Sequence, residues 1–242
     1  MPRDLIAALA RAHRALARPH PWRGAPCLLC GAGRTPGGLC APCRADLVPW
    51  PADACRRCAR PLAAPGDRCG DCARAAPAHG PVTAAGAYAW PLAAVVRAFK
   101  FRGDLSLAAP LATLVAEAVE TPPARALLVP VPLGRARAAA RGYNPAAELA
   151  RRLSREFGLP WDPDLLVRMR ETAPQSSLPR SNRTSNVEGA FAVRRSLPGA
   201  RVILVDDVLT TGATASAAAR ALTAAGASDL ATWVVARAPP PA

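Results

Sequence analysis

Apolar residues recur along this chain in two rhythms. Continuous runs bounded by turn residues fall at VTAAGAYAW (82–90), ALLVPVPL (126–133), RVILVDD (201–207) and ATWVVARA (231–238), with a shorter one at GAFAV (189–193). Runs of that length suit strands buried on both faces of a parallel sheet. Between them the helical period takes over. Leu92, Val95, Val96 and Phe99 share one face of a helix that begins at Pro91, a favourable first helical position. LSLAAPLATLVAEAVE (105–120) reads as a helix perturbed around Pro110, and a further helix runs from about Asn144, its N-cap, to Phe157, with Pro145 at its start and Glu148 near the first turn. TASAAARALTAAGA is a last helix, stopped by Gly226. Strands alternating with helices predict an α/β fold with a parallel sheet over residues 82–242.

Upstream the pattern differs. DLIAALARAHRALAR sets Ile6, Leu9, His13 and Leu16 near one face, which predicts a short docking helix within 1–22; its apolar content is too interrupted for a signal-peptide core. No apolar run approaches the ~18 residues of a membrane span. Residues 23–76 hold all eight cysteines, and PAHGP (77–81) reads as a linker.

The cysteines form four Cys-x2-Cys knuckles: Cys27/Cys30, Cys40/Cys43, Cys55/Cys58 and Cys69/Cys72. Two knuckles complete a tetrahedral thiolate site, so the pattern predicts two structural zinc ions rather than disulfides. Sequential pairing joins the first two knuckles on one ion and the last two on the other; a crossed arrangement stands as the alternative. A module so poor in apolar residues needs metal for its stability. Support for the fold and a grip on a partner are both open roles for it.

The chemistry concentrates after the third long apolar run. Asp206 and Asp207 stand at the carboxyl end of a strand, where open α/β sheets bind ligands. Thr210, Thr211, Gly212, Ala213 and Thr214 then lead into a helix N-terminus, whose free N–H groups and macrodipole make an anion site. Acid pair and phosphate cradle together specify a phosphorylated, hydroxylated ligand. The G-x-G-x-x-G spacing of a dinucleotide site is absent.

Charge adds less than its size suggests. The chain carries 31 basic and 17 acidic residues, a formal +14, which two tetrathiolate zinc sites lower to about +10. Lys100 is the single lysine, and arginine supplies the rest, a compositional bias more than a signal. Lys100 and Arg102, at the end of the 91–102 helix, are either dipole partners or catalytic cations; a lone lysine among arginines marks a place for a compact ammonium. Arg135, Arg137 and Arg141 cluster in a predicted loop, as an anion clamp or as a solvated run. The polar stretch from Arg168 to the GAFAV strand, with Arg168, Arg170, Arg180 and Arg183, reads as a lid able to close over an anion. Aromatics that could stack on a single-stranded nucleic acid are sparse, with Phe99, Phe101, Tyr143 and five tryptophans near basic residues.

VILVDDVLTTGAT resembles the phosphoribosyl-pyrophosphate (PRPP) motif of type I phosphoribosyltransferases. The ordered set of four knuckles, FKFRGD, VPVPLGRARAAARGYN, APQSSLPRSNRTSNVEGAF and the acid pair resembles the ComF family, bacterial proteins with a zinc ribbon before a phosphoribosyltransferase-like domain. Pro145 departs from the glutamine expected after RGYN. The resemblance implies that Asp206 and Asp207 accept from the ribose hydroxyls and that Thr210 to Thr214 hold the 5′-phosphate. It implies that Val131 and Pro132 line the pyrophosphate side with Arg137 and Arg141, that Gln175 belongs to a flexible hood, and that Mg²⁺ arrives on PRPP. It further implies a cytoplasmic protein of DNA uptake that works with other competence proteins; the zinc ribbons and the net positive charge favour single-stranded DNA as a further partner. Transfer of phosphoribose to an acceptor and PRPP binding without turnover both remain compatible with the motif.

Overall fold

The computed structural model describes residues 25–239 apart from 36–37, 48–50, 52, 63, 65 and 171–188. The predicted N-terminal helix and Gln175, Arg180 and Arg183 lie outside the described residues.

A four-stranded parallel sheet organises the larger part of the molecule. Its strands are β3 (Val82–Ala87), β4 (Leu127–Pro130), β7 (Arg201–Leu209) and β8 (Asp229–Arg237), in the spatial order β3-β8-β7-β4. Along β7, Ile203 and Val205 enter one core while Val202 and Leu204 enter the other. Both faces are therefore covered, which is why the sequence shows a continuous apolar run and not an alternation. The first core is filled by Leu92, Val96 and Phe99 of α3 (Leu92–Phe101), Leu111 and Val115 of α4 (Ala108–Ala118), and Leu149 and Leu153 of α6 (Pro145–Phe157). The second is closed by Ala217, Ala218 and Leu222 of α7 (Ala213–Ala224).

Several local expectations change. The helix with Pro110 is unperturbed: a 3-10 turn at Leu105–Leu107 precedes α4, so Pro110 sits in the first turn, where its missing N–H costs nothing. The three arginines lie on a helix, α5 (Arg135–Arg141), and not in a loop. Ala136 and Ala138 to Ala140 supply strong helix propensity, and Gly142, at φ +76°, ends the helix in the left-handed region. GAFAV does not join the parallel sheet. As β6 (Phe191–Val193) it pairs antiparallel with β5 (Leu166–Arg168), so Arg168 ends a strand instead of opening a polar loop.

The cysteine module consists of small ribbons. β1 (Ala25–Pro26) pairs antiparallel with β2 (Arg34–Thr35), and the short helices α1 (Ala41–Ala45) and α2 (Gly70–Arg74) start at Cys40 and Cys69. The first ribbon docks on the domain core through Leu28 and Leu47 and through an Arg44–Glu117 ion pair to α4. Gly38 lies so close to α4 that a Cβ there would fall 2.6 Å from the Pro110 ring.

PAHGP is no free linker. His79 is 2% exposed, its carbonyl accepts from Thr232 Oγ1 at 2.7 Å, and a Cβ at Gly80 would lie 1.8 Å from the Leu230 carbonyl oxygen. The strap is built into the domain, and only glycine fits at its tightest point.

Candidate functional site

The carboxyl ends of β4 and β7 open into a cavity of about 530 Å³. β7 runs two residues past the acid pair, to Leu209, so Asp206 and Asp207 project from the strand itself. The turn Thr210–Thr211–Gly212 then enters α7, with Gly212 at φ +81°. Asp206, Asp207, Thr210, Gly212, Ala213 and Thr214 all line the cavity. Thr211 is half-buried, and its hydroxyl accepts from the Ala213 N–H at 3.3 Å.

Lys100 closes the cavity from α3, its ammonium 2.7 Å from Asp207 Oδ1. Burial pulls the ammonium down, but the carboxylates of Asp207 and Asp206 outweigh it and hold Lys100 above the ordinary lysine value. The Asp207 N–H donates to Asp206 Oδ1 at 2.8 Å. Withdrawal from solvent and the neighbouring Asp207 charge push Asp206 up to about 7, against the opposing pull of Lys100. One of the two acids thus titrates near neutrality. Arg102, also a candidate, caps the end of α3, is exposed, and does not line the cavity.

The opposite wall comes from the end of β4 and from α5. Val131 and Pro132 line it, and the Val131 N–H donates to the Val205 carbonyl at 2.9 Å, which locks the turn to β7. Asn144 donates from Nδ2 to the Val131 carbonyl at 3.0 Å while its Oδ1 caps α6 through the Ala146 N–H at 3.1 Å. Arg137 and Arg141 lie four residues apart on one face of α5, and both reach the cavity. Arg135 points instead to a neighbouring shallow groove. The Arg141 guanidinium lies 5.0 Å above the exposed Phe101 ring.

Arg168, expected in a lid over the anion, lines the cavity, and so do Tyr88 and Asn144, to which the sequence assigned no site role. Asn144 was visible only as a helix cap, and Arg168 reaches the cavity from the end of β5 and not from a polar loop. Tyr88 follows directly on a strand end, which is the one signal that marks it.

The cysteines meet in two tetrads, Cys27/Cys30/Cys40/Cys43 and Cys55/Cys58/Cys69/Cys72, with all ligand atoms of a tetrad within 4.8 Å of one another. Pairing is sequential, and the crossed arrangement is ruled out. The Sγ atoms of Cys30 and Cys40 are 3.7 Å apart and those of Cys58 and Cys69 3.8 Å. Four thiolates at ~2.3 Å from a tetrahedral ion stand about 3.8 Å from one another, so the tetrads fit zinc. Burial raises the Cys27 and Cys55 thiols, but backbone N–H donors outweigh it and hold both down at about 6, while the Cys40 thiol pushes Cys43 up and burial pushes Cys72 up. These are two structural zinc sites.

Fold and sites together define a class: a phosphoribosyltransferase-type α/β domain carrying a double zinc ribbon. Family models described as a double zinc ribbon domain and a phosphoribosyl transferase domain match residues 21–73 and 139–241. The chain is 32% identical over 210 residues to Competence protein F of Haemophilus influenzae, spanning 83% of this chain and 91% of that one. It belongs to the ComF family. It is also 31% identical over 206 residues to the DNA utilization protein YhgH of Salmonella typhi, covering 83% and 90% of the two chains. To Competence protein ComFC of Bacillus subtilis it is 35% identical over 127 residues, 51% of this chain and 50% of that one. Among the described residues no helix is long and apolar enough to cross a membrane.

Proposed function

We propose that this protein binds PRPP, as its Mg²⁺ complex, in the cavity at the ends of β4 and β7, and that it serves DNA uptake from the cytoplasm. The observation that carries the reading is the convergence of an acid pair, a glycine turn at a helix N-terminus and a cationic wall in one cavity. Asp206 and Asp207 accept from the two ribose hydroxyls. The N–H groups from Thr210 to Thr214 receive the 5′-phosphate. Arg137 and Arg141 face the pyrophosphate across the Val131–Pro132 turn.

Mg²⁺ fits this site as a companion of the ligand. Among the described residues, the carboxylates lining the cavity are those of Asp206 and Asp207, and these already accept from the Asp207 N–H and from Lys100. A hard cation needs six or so oxygens, so most must come from pyrophosphate, ribose and water. The ion supplies counter-charge to the pyrophosphate. Ribose hydroxyls compete with Lys100 for Asp207, and the released ammonium stays within reach of the anionic ligand.

Because Asp206 is pushed up to about 7, the affinity for PRPP is expected to rise with pH. At pH 6 about one site in ten holds the ionised carboxylate, so affinity at pH 8 should exceed that at pH 6 by about tenfold. Apo stability runs the other way. A carboxyl raised above its ordinary value contributes stability that is full below about pH 4 and is lost as pH rises through about 7. Titration calorimetry checks the first trend and thermal melts the second. Asp206→Asn should flatten both, which separates Asp206 from the ligand's own phosphate. A pH-independent affinity in the wild type removes the acid pair from the binding site.

A second reading, a binder of PRPP and single-stranded DNA without turnover, draws on the exposed Phe101 ring under Arg141 at the cavity rim. Pyrophosphate release from PRPP and Mg²⁺ in the presence of a panel of nucleobases or single strands marks a transferase. Binding of PRPP with no release under any of them marks the binder.

A further inference from the structure

The phosphate turn leans on a buried arginine that sequence reasoning left unused. Arg237 is the last residue of β8, paired with Leu209 of β7, and only 4% exposed. Its Nη1 donates to the Leu209 carbonyl at 3.0 Å, to the Ala238 carbonyl at 3.0 Å and to the Thr210 carbonyl. Its Nε donates to the carbonyl of Cys58 at 3.0 Å. Cys58 is a ligand of the second zinc site. One guanidinium thus joins a zinc knuckle to the start of the phosphate turn.

The consequence follows from peptide geometry. In a planar trans peptide the C=O and the next N–H point in opposite directions. Arg237 draws the Leu209 and Thr210 oxygens inward, so the N–H groups of Thr210 and Thr211 turn outward together. Successive N–H groups aimed the same way form an anion-binding concavity. The strap completes the support from below. A Cβ on Gly212 would meet His79 Nε2 at 3.0 Å, so the turn rests on the buried imidazole, whose Nδ1 bonds the Gly80 carbonyl at 2.8 Å. Arg57, beside Cys58, donates to the Pro77 carbonyl at 3.2 Å and ties the strap to the same ribbon. A zinc-loaded tetrathiolate carries a formal −2, which favours a buried guanidinium bonded to its knuckle.

We propose that Arg237 is the positioning residue of the phosphate turn and that it makes the turn's anion-binding conformation depend on the second zinc site, not the first. The first ribbon docks elsewhere, on α4 through Arg44 and Glu117. As far as the anion is PRPP, the inference rests on the function proposed above; the coupling itself does not. Binding linkage is reciprocal, so an anion on the turn also tightens zinc binding at the second site by the same factor.

The test is amide hydrogen exchange of residues 209–215 in the full chain. Cys69→Ser, which disables the second zinc site, and Arg237→Lys, which keeps charge but cannot span both carbonyls, should each speed exchange there by about tenfold or more, in the range of ordinary coupling energies. Arg44→Ala should leave that segment unchanged. PRPP affinity, by calorimetry, should fall in the first two variants and hold in the third. Unchanged exchange at 209–215 in Cys69→Ser or in Arg237→Lys overturns the proposal, as does an equal rise in Arg44→Ala. Exchange that responds as expected in a wild-type chain that binds no PRPP leaves the coupling standing and removes only the ligand.

Discussion

The double variant Asp206→Asn, Asp207→Asn is expected to lose PRPP affinity by about a hundredfold or more while keeping its fold. Each carboxylate accepts a charge-assisted hydrogen bond worth about 1.5–3 kcal/mol. Losing two such bonds removes at least about 3 kcal/mol, and each 1.4 kcal/mol is a factor of ten. Asparagine keeps the shape of aspartate, so neither core is opened. The one structural cost is local: Lys100, whose ammonium sits 2.7 Å from Asp207 Oδ1, loses its counter-charges. An amide oxygen still accepts from the ammonium, and the lysine reaches the cavity, so the expected result is a modestly lowered melting temperature with a single cooperative transition. Lys100→Ala is the harsher change for stability, because it leaves the Asp207 carboxylate, buried at 6% exposure, without its cation. Wild-type PRPP affinity in the double variant, measured by titration calorimetry, would exclude the acid pair from the ligand site.

What the sequence disclosed of this site follows from how local each feature is. Asp206 to Thr214 are contiguous, and strand, acids and turn each leave their own signature in residue type. The cysteine knuckles are local in the same way, and their pairing became definite only when the chain brought each tetrad together. Arg137 and Arg141 were identified, but their geometry was not: three arginines within seven residues suggested a loop, while four alanines among them decide for a helix. The i, i+4 spacing then explains why these two reach the cavity and Arg135 does not. β5 and β6 are three residues each and pair across a long separation, which leaves almost no periodicity to detect. Arg237 and His79 were invisible as site residues for a stronger reason. Their role depends on a carbonyl 179 positions away and on the ring's contact with Gly212. An arginine ending an otherwise apolar strand was the only available hint, since a buried charge must find partners.

Zinc removal is expected to have the largest effect on stability of any single change. Among the described residues, the second ribbon's apolar cluster is built on its own ligands: Cys55, Cys58 and Cys72 are buried, with Leu62 and Cys69 packed on them, and Ala59 is buried beside Cys58. So small a described cluster cannot replace the metal, and a structural zinc site contributes roughly 10–16 kcal/mol at neutral pH. Purified protein should hold two zinc ions by elemental analysis. Stripping both with a chelator should unfold the ribbons and raise hydrogen exchange across 25–76. Lowering the pH should act in the same direction, because thiolates must be protonated to release the ion. The loss should also spread into the larger domain. Leu28 and Leu47 would leave the first core cluster, and the Cys58 carbonyl would no longer be fixed against Arg237. The α/β sheet, with Val202, Ile203 and Leu204 fully buried between two covered faces, should survive as a destabilised domain with a lowered melting temperature. A metal-free chain with wild-type protection over 25–76 would mean that the ribbons fold without zinc, and the tetrads would then have to be explained by something other than stability.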